Sequence, residues 1–102
     1  MAVDLIKLKS ENVQRWSAAK LTRGPEFTPV AKRLVAAKAR YRAVEHATSA
    51  PWPFIAVTHQ RESSQNWERS LAQGDPWNEV SKHLPAGRGP FGSWEAAAID
   101  AL

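Results

Sequence analysis

The sequence predicts a mainly α-helical single domain, residues 1–102, with a long irregular loop region between the third and last helices. Three observations carry that expectation. Apolar residues recur at helical spacing through most of residues 3–57 and again from Trp94 onward. Turn formers crowd the stretch between Asn66 and Gly92. A length of 102 residues allows one modest core and one domain.

The first amphipathic helix is expected from about Val3 to Lys20. Leu5, Ile6, Leu8, Val13 and Trp16 fall mostly on one face, with Lys7, Lys9, Glu11 and Arg15 away from it. The run Arg23-Gly-Pro-Glu-Phe-Thr closes it, because Gly and Pro extend a helix only at a cost. A second helix is expected to start with Thr28 as cap and Pro29 in the first position, where no N–H is missed. Val30, Leu34, Ala37, Tyr41 and Val44 then recur at helical spacing, and Lys32, Arg33, Lys38, Arg40 and Arg42 cover the rest. Ser49-Ala-Pro-Trp-Pro interrupts the pattern and opens a third helix near Trp52 or Pro53. The run from Ser63 to Asn66 should end that helix soon after Glu62, since such side chains compete for backbone hydrogen bonds. A loop that long is ordinarily functional or disordered. Ser93 caps the last helix, Trp94 to Leu102, with Glu95 in its first turn.

Composition narrows the function classes. A hydrophobic share of 43% and a charged share of 24% place the chain among folded globular domains. No apolar run approaches the ~20 residues of a membrane span, and no signal peptide is visible at the start. Zero cysteines exclude disulfide and thiolate–metal scaffolds. Residues 1–50 hold ten Lys/Arg against four Asp/Glu, whereas residues 51–102 hold four against six. The basic half suits a polyanion, whether nucleic acid, acidic lipid or cell-wall polymer. A solvated helix face explains the same charges. Four of the five tryptophans (Trp52, Trp67, Trp77 and Trp94) lie in the second half, suited either to a core or to stacking on sugars and bases.

Glu62 is the leading candidate for chemistry. At the C-terminal end of a helix the partial negative charge disfavours a carboxylate, and partial burial acts in the same direction. Both raise the pKa, as a proton donor to a glycosidic oxygen requires. A surface pairing with Arg61, Arg88 or His59 is the plainer alternative. His59, three residues earlier on a neighbouring part of the helix, reads as a structural histidine that positions Glu62. A metal needs more ligands than His59 and Glu62, and none is evident, so no metal and no cofactor are expected. The partner carboxylate is open among Glu68, Asp75, Glu79 and Glu95; Asp75, in Gly74-Asp75-Pro76-Trp77, is the most constrained, either as the holder of its turn or as a second carboxylate. Thr58 and Ser63 read as capping or substrate-contact hydroxyls.

Four segments in order then resemble bacterial and prophage lysozyme-family proteins, which are peptidoglycan hydrolases. They are Pro51-Trp-Pro-Phe-Ile-Ala-Val-Thr-His-Gln-Arg-Glu62-Ser63, Gly74-Asp75-Pro76, Leu84-Pro85-Ala86-Gly87-Arg88, and Phe91-Gly-Ser-Trp94-Glu95-Ala-Ala-Ala-Ile-Asp-Ala-Leu102. Together they span about half the chain. The resemblance implies a lysozyme-like helical fold and cleavage of the β-1,4 link between N-acetylmuramic acid and N-acetylglucosamine. It implies Glu62 as general acid and Asp75 near the cleft, with His59, Ser63, Trp67, Trp77 and Arg88 at the substrate. Peptidoglycan is the implied partner, reached from the cytoplasm by release to the cell wall or periplasm. Glu62-Ser63 also matches the opening pair of lytic transglycosylases, whose downstream Gly-Leu-Met-Gln segment is absent here, which favours hydrolysis. Relatives of this type continue past the Ile99–Leu102 helix with further helices. Hence the domain is expected to be incomplete at its C-terminus, curtailed, or completed by an oligomer through an exposed last helix. Two other classes stand beside hydrolysis. One is a peptidoglycan-binding module without turnover. The other is a small basic nucleic-acid binder, for which no recognition helix or single-strand motif is present.

Overall fold

The computed structural model describes residues 2–102. Five helices follow in order: α1 (Leu5–Ala18), α2 (Gly24–Ala36), α3 (Lys38–Thr48), α4 (Trp52–Ser63) and α5 (Trp94–Ala101). Among the described residues the only β-type pairing is an isolated bridge between Arg69 and Pro76. The chain is mainly helical, as its periodicity requires.

The helix boundaries depart from expectation in the basic segment. The start expected at Thr28-Pro29 lies five residues earlier, with Arg23 in the cap position, Gly24 as first residue and Pro25 in the first turn. Pro29 is therefore inside α2, and Thr28 does not cap. Its hydroxyl donates back to the Gly24 carbonyl at 2.9 Å. The reason is local: Gly24-Pro25 supplies the same start signal as Thr28-Pro29, and the exposed first turn leaves carbonyls that water can satisfy. The single helix expected over Val30–Val44 divides at Ala37 (φ −95°, ψ 10°). There the amide of Ala37 reaches only to Leu34 (3.1 Å), while its carbonyl starts the next helix by accepting from Arg40 and Tyr41. No proline or glycine marks the break. It lets α2 lie against α3 and α4 while α3 packs on both α4 and α5.

The core forms where those three helices meet. Tyr41 and Val44 of α3, Ile55, Ala56 and His59 of α4, and Trp94, Ala97 and Ala98 of α5 are buried, with Leu34 at the edge. Each large apolar side chain enclosed here contributes about 1.5–3 kcal/mol relative to exposure. The rings are mutually oriented. Trp67 meets Trp94 edge-on at 4.7 Å and stacks on Tyr41 at 5.3 Å. Such pairs add about 0.5–1.5 kcal/mol beyond the area they bury.

The loop between α4 and α5 is irregular but braced. Ser70, Leu71, Asp75 and Ser81 are buried within it. The Asp75 carboxylate accepts from the amides of Lys82 (3.0 Å) and His83 (2.9 Å) and from the His83 ring (2.8 Å). Ser81 and Arg88, and Trp77 and Phe91, close further rungs through their backbones at 2.8 and 2.7 Å. Gly89 is required where it stands. Its φ is +84°, and a Cβ there would lie 3.1 Å from the Glu79 carbonyl oxygen.

Helix α1 is the exception to burial. Asp4 caps it by accepting from the Lys7 amide at 3.0 Å. None of its residues is buried, and Trp16 is 85% exposed. α1 packs against no other helix. The Cα radius of gyration is accordingly 15.9 Å, against about 13 Å for a compact chain of this length. Among the described residues, no helix is long and apolar enough to cross a membrane.

Candidate functional site

α4 ends abruptly after Glu62 and Ser63. Ser64 and Gln65 both adopt left-handed backbone (φ 55° and 62°), and their amides return to Gln60 (2.9 Å) and His59 (3.2 Å). Two consecutive non-glycine residues in that region cost about 1–2 kcal/mol each, so the surroundings must hold them. The Gln65 side chain does so, donating to the Arg33 carbonyl (3.2 Å) and to the Tyr41 hydroxyl (3.1 Å). Ser63 adds a brace. Its hydroxyl donates to the His59 carbonyl (3.3 Å) and accepts from the Asn66 amide (3.2 Å).

His59 lies beneath this turn, fully enclosed. Nε2 contacts the Asn66 carbonyl at 3.0 Å, which can only accept, so Nε2 carries the hydrogen. Nδ1 then accepts from the Tyr41 hydroxyl at 2.8 Å. Burial pushes the imidazole below its ordinary range and the Tyr41 phenol above it. From its spacing His59 is expected to position Glu62, and from the resemblance to lie at the substrate. The structure sets it in the core as a neutral residue with both nitrogens engaged, and from there it braces the turn that carries Glu62.

The remaining site residues separate. Glu62 is exposed, and its carboxylate has neither an ion pair nor a hydrogen bond to another described residue. The salt bridge to Arg61, Arg88 or His59 weighed from the sequence is absent among the described residues. Trp67, expected as a sugar platform, already has its stacking contacts filled. Tyr41 stacks on it, and the Arg40 guanidinium lies 3.8 Å from its ring centroid. Arg40 also pairs with Glu95 of α5, and this bond holds the Glu95 carboxyl below its usual range. Arg88 is tied to Asp100 of α5 through both carboxylate oxygens, which lowers the Asp100 carboxyl and raises the guanidinium. In this arrangement Arg88 pins the loop to the last helix. Asp75 has its carboxylate saturated by loop amides and His83, and these bonds, those from His83 first, keep it below the usual carboxylate range.

Surface clefts lie to either side. One of about 420 Å³ is bounded by Arg33, Arg40, Gln65 and Trp67. Another, about 340 Å³, is lined by Glu68, Arg69, Pro76, Trp77 and Asn78. An apolar groove between Phe27, Leu34 and Val57 separates α2 from α4. Glu62 lines none of these three. Gln65, Arg69 and Asn78 were not singled out from the sequence, Arg40 only as one cation of the basic helix, and Glu68 only as one of four possible partner carboxylates. The side-chain bonds of Gln65 and Arg40 run to residues far along the chain, and no local spacing signals them. Among the described residues, no group of three or more His, Asp or Glu side chains gathers where a metal ion would sit.

No protein family, curated protein or solved structure matches this chain.

Proposed function

We propose that this chain acts on peptidoglycan as a lysozyme-like glycosidase, with Glu62 as the general acid for the β-1,4 link between N-acetylmuramic acid and N-acetylglucosamine. The observation that carries the reading is the end of α4. Its last turn presents a carboxylate free of protein partners, followed by two left-handed residues held in place by Gln65, Tyr41 and His59. Strain of that kind, maintained by a buried polar network, is characteristic of functional sites. The order of the four lysozyme-like sequence segments supports the same reading. Glycoside cleavage needs a carboxylic acid in its neutral form beside the leaving oxygen. A glycan strand seated over Glu62 excludes water, and exclusion of water favours that form. Asp75, fully engaged, serves here by fixing the loop rather than by attacking the sugar. The place of action is the cell wall.

A second reading is favoured by one observation: Glu62 stands outside the surface clefts, in contact with solvent. It is a peptidoglycan-binding module without turnover. One experiment separates the two. Purified protein and Glu62→Gln are incubated with cell-wall sacculi, and both sedimentation with the wall and release of reducing ends are measured. Hydrolysis predicts release by wild type and background by the variant, with both proteins bound. Binding alone predicts co-sedimentation with background release from both. Absence of co-sedimentation and of release at low salt rejects both. Ile99 and Leu102, each about two-fifths exposed at the end of α5, support self-association through that helix, which sedimentation velocity over a concentration series will measure.

A further inference from the structure

We propose that α1 is an interfacial helix that lies in the plane of an anionic lipid surface, its apolar stripe among the acyl chains and its cations at the phosphates. The stripe runs the length of the helix. Leu5 and Leu8 are neighbours three residues apart, as are Val13 and Trp16, and Ile6 lies two turns before Val13. Ile6 is 84% exposed, and Leu21, just past the helix end, is 80% exposed. At that end Trp16, Ala19, Lys20 and Leu21 line a hollow of about 390 Å³, where an indole, a leucine and an ammonium meet. An indole beside a cation suits the boundary between headgroups and hydrocarbon. α1 packs against no other helix, so docking it on a surface disturbs no core contact.

Charge decides what covers the stripe. Asp4 is engaged at the helix cap, and Glu11 pairs with Lys7 across 4.0 Å. Lys9, Arg15 and Lys20 have no carboxylate partner among the described residues, and Arg15 donates only to the neutral Asn12 at 3.0 Å. Lys9 stands four residues from both Leu5 and Val13, inside the stripe rather than opposite it. Its methylenes cover apolar surface while its ammonium reaches outward, which suits an interface and is costly in a dry protein contact. A second copy of the chain brings the same cations to the contact and is repelled by them. A hydrophilic polyanion pairs with the cations but leaves Ile6, Val13 and Trp16 in water. An anionic bilayer meets both needs, since phosphates take Lys9, Arg15 and Lys20 while acyl chains take the stripe. A helix of 14 residues measures about 21 Å, short of the ~30 Å hydrocarbon core, so it lies along the surface. This inference is independent of the glycosidase reading, whose Glu62 is on α4.

The test uses the full chain with vesicles of phosphatidylglycerol and phosphatidylcholine in equal parts, and pure phosphatidylcholine vesicles as comparison. Flotation gives the bound fraction, and quenching of tryptophan emission by brominated acyl chains reports insertion. Wild type is expected to float with the anionic vesicles and to be quenched, and to bind the neutral ones about a hundredfold more weakly. Trp16→Ala should weaken binding about tenfold. Lys9→Gln and Arg15→Gln should each weaken it about fivefold, the share of one cation near an anionic surface. Trp16→Phe should keep binding while losing the quenching, which identifies Trp16 as the inserted ring. All four side chains are exposed, so the thermal melts should be unchanged. The proposal is overturned if wild type does not float, if neutral vesicles bind as well as anionic ones, or if Trp16→Ala floats like wild type. It is likewise overturned by a dimer in sedimentation velocity that Trp16→Ala dissolves, or by duplex DNA binding indifferent to Trp16→Ala, with no vesicle binding in either case. Glu62→Gln should float like wild type whether or not wall cleavage depends on Glu62, so the two readings can fail separately.

Discussion

Helix α1 and the loop between α4 and α5 invert the usual association of regularity with burial. α1 has a capping aspartate and a clear apolar stripe, and none of its residues is buried. The loop has no periodicity, yet it encloses Ser70, Leu71, Asp75 and Ser81. The difference shows that amphipathic spacing dictates local conformation, while burial depends on a partner surface. α1 has no such surface among the described residues. The loop supplies its own, through a carboxylate that gathers two backbone amides and a histidine ring.

The strongest way to sharpen the contrast is to empty the core that the loop helps to roof. Trp94→Ala removes the ring that meets Tyr41, His59 and Trp67, and should cost about 3–5 kcal/mol in equilibrium denaturation. Within the loop, Gly89→Ala forces a side chain into left-handed backbone against the Glu79 carbonyl. A loss of about 1–2 kcal/mol is expected, read as a lowered thermal midpoint. A loop that tolerates this change without loss is not braced as described.

Acid should act on the core and the loop. The His59 ring is pushed below its ordinary value of 6.5 by burial, so the unfolded chain takes up the proton first as pH falls. Its contribution is fully present above pH 6.5 and is lost as pH drops through the lower folded value. One proton limits the slope to about 1.4 kcal/mol per pH unit. Asp75, Glu95 and Asp100, also lowered, add a second decline below their ordinary values of 3.8 for the aspartates and 4.5 for the glutamate. Denaturation across pH 7 to 3 measures both, and His59→Gln should remove the first phase. The smallest effect belongs to α1. Trp16→Ala should change stability by no more than about 0.5 kcal/mol, despite removing the same side chain as Trp94→Ala. A larger change would mean that α1 is packed in solution.

The same contrast explains what could be read in advance. Ser93 marks the start of α5, and its hydroxyl accepts from the Ala96 amide at 3.0 Å. The Ser63–Asn66 run ends α4, where competing side chains act locally. These signals sit within four residues of their effect. The break at Ala37 has no such marker, because it follows from how α2 and α3 meet different neighbours. The earlier start of α2 was hidden by two equivalent Pro signals, Pro25 and Pro29. At the site, Glu62 stands on the last turn of α4 as its spacing requires. The enclosure of His59 depends instead on Tyr41, eighteen positions away, and the role of Gln65 on Arg33, thirty-two away. Contacts across such separations leave no periodic trace.

Arg40 sets its guanidinium 3.8 Å from the Trp67 ring centroid while its Nε donates to a carboxylate on the last helix. Lysine preserves the positive charge but, as a compact ammonium, lacks the extended plane that covers the ring while one N–H reaches the carboxylate, so it can do only one of these jobs at a time. At this codon the commonest exchange between basic residues is therefore closed, whereas Lys32, on the neighbouring exposed face, is free to drift. Comparison of sequences from diverged lineages should find arginine retained at the first position and either basic residue at the second.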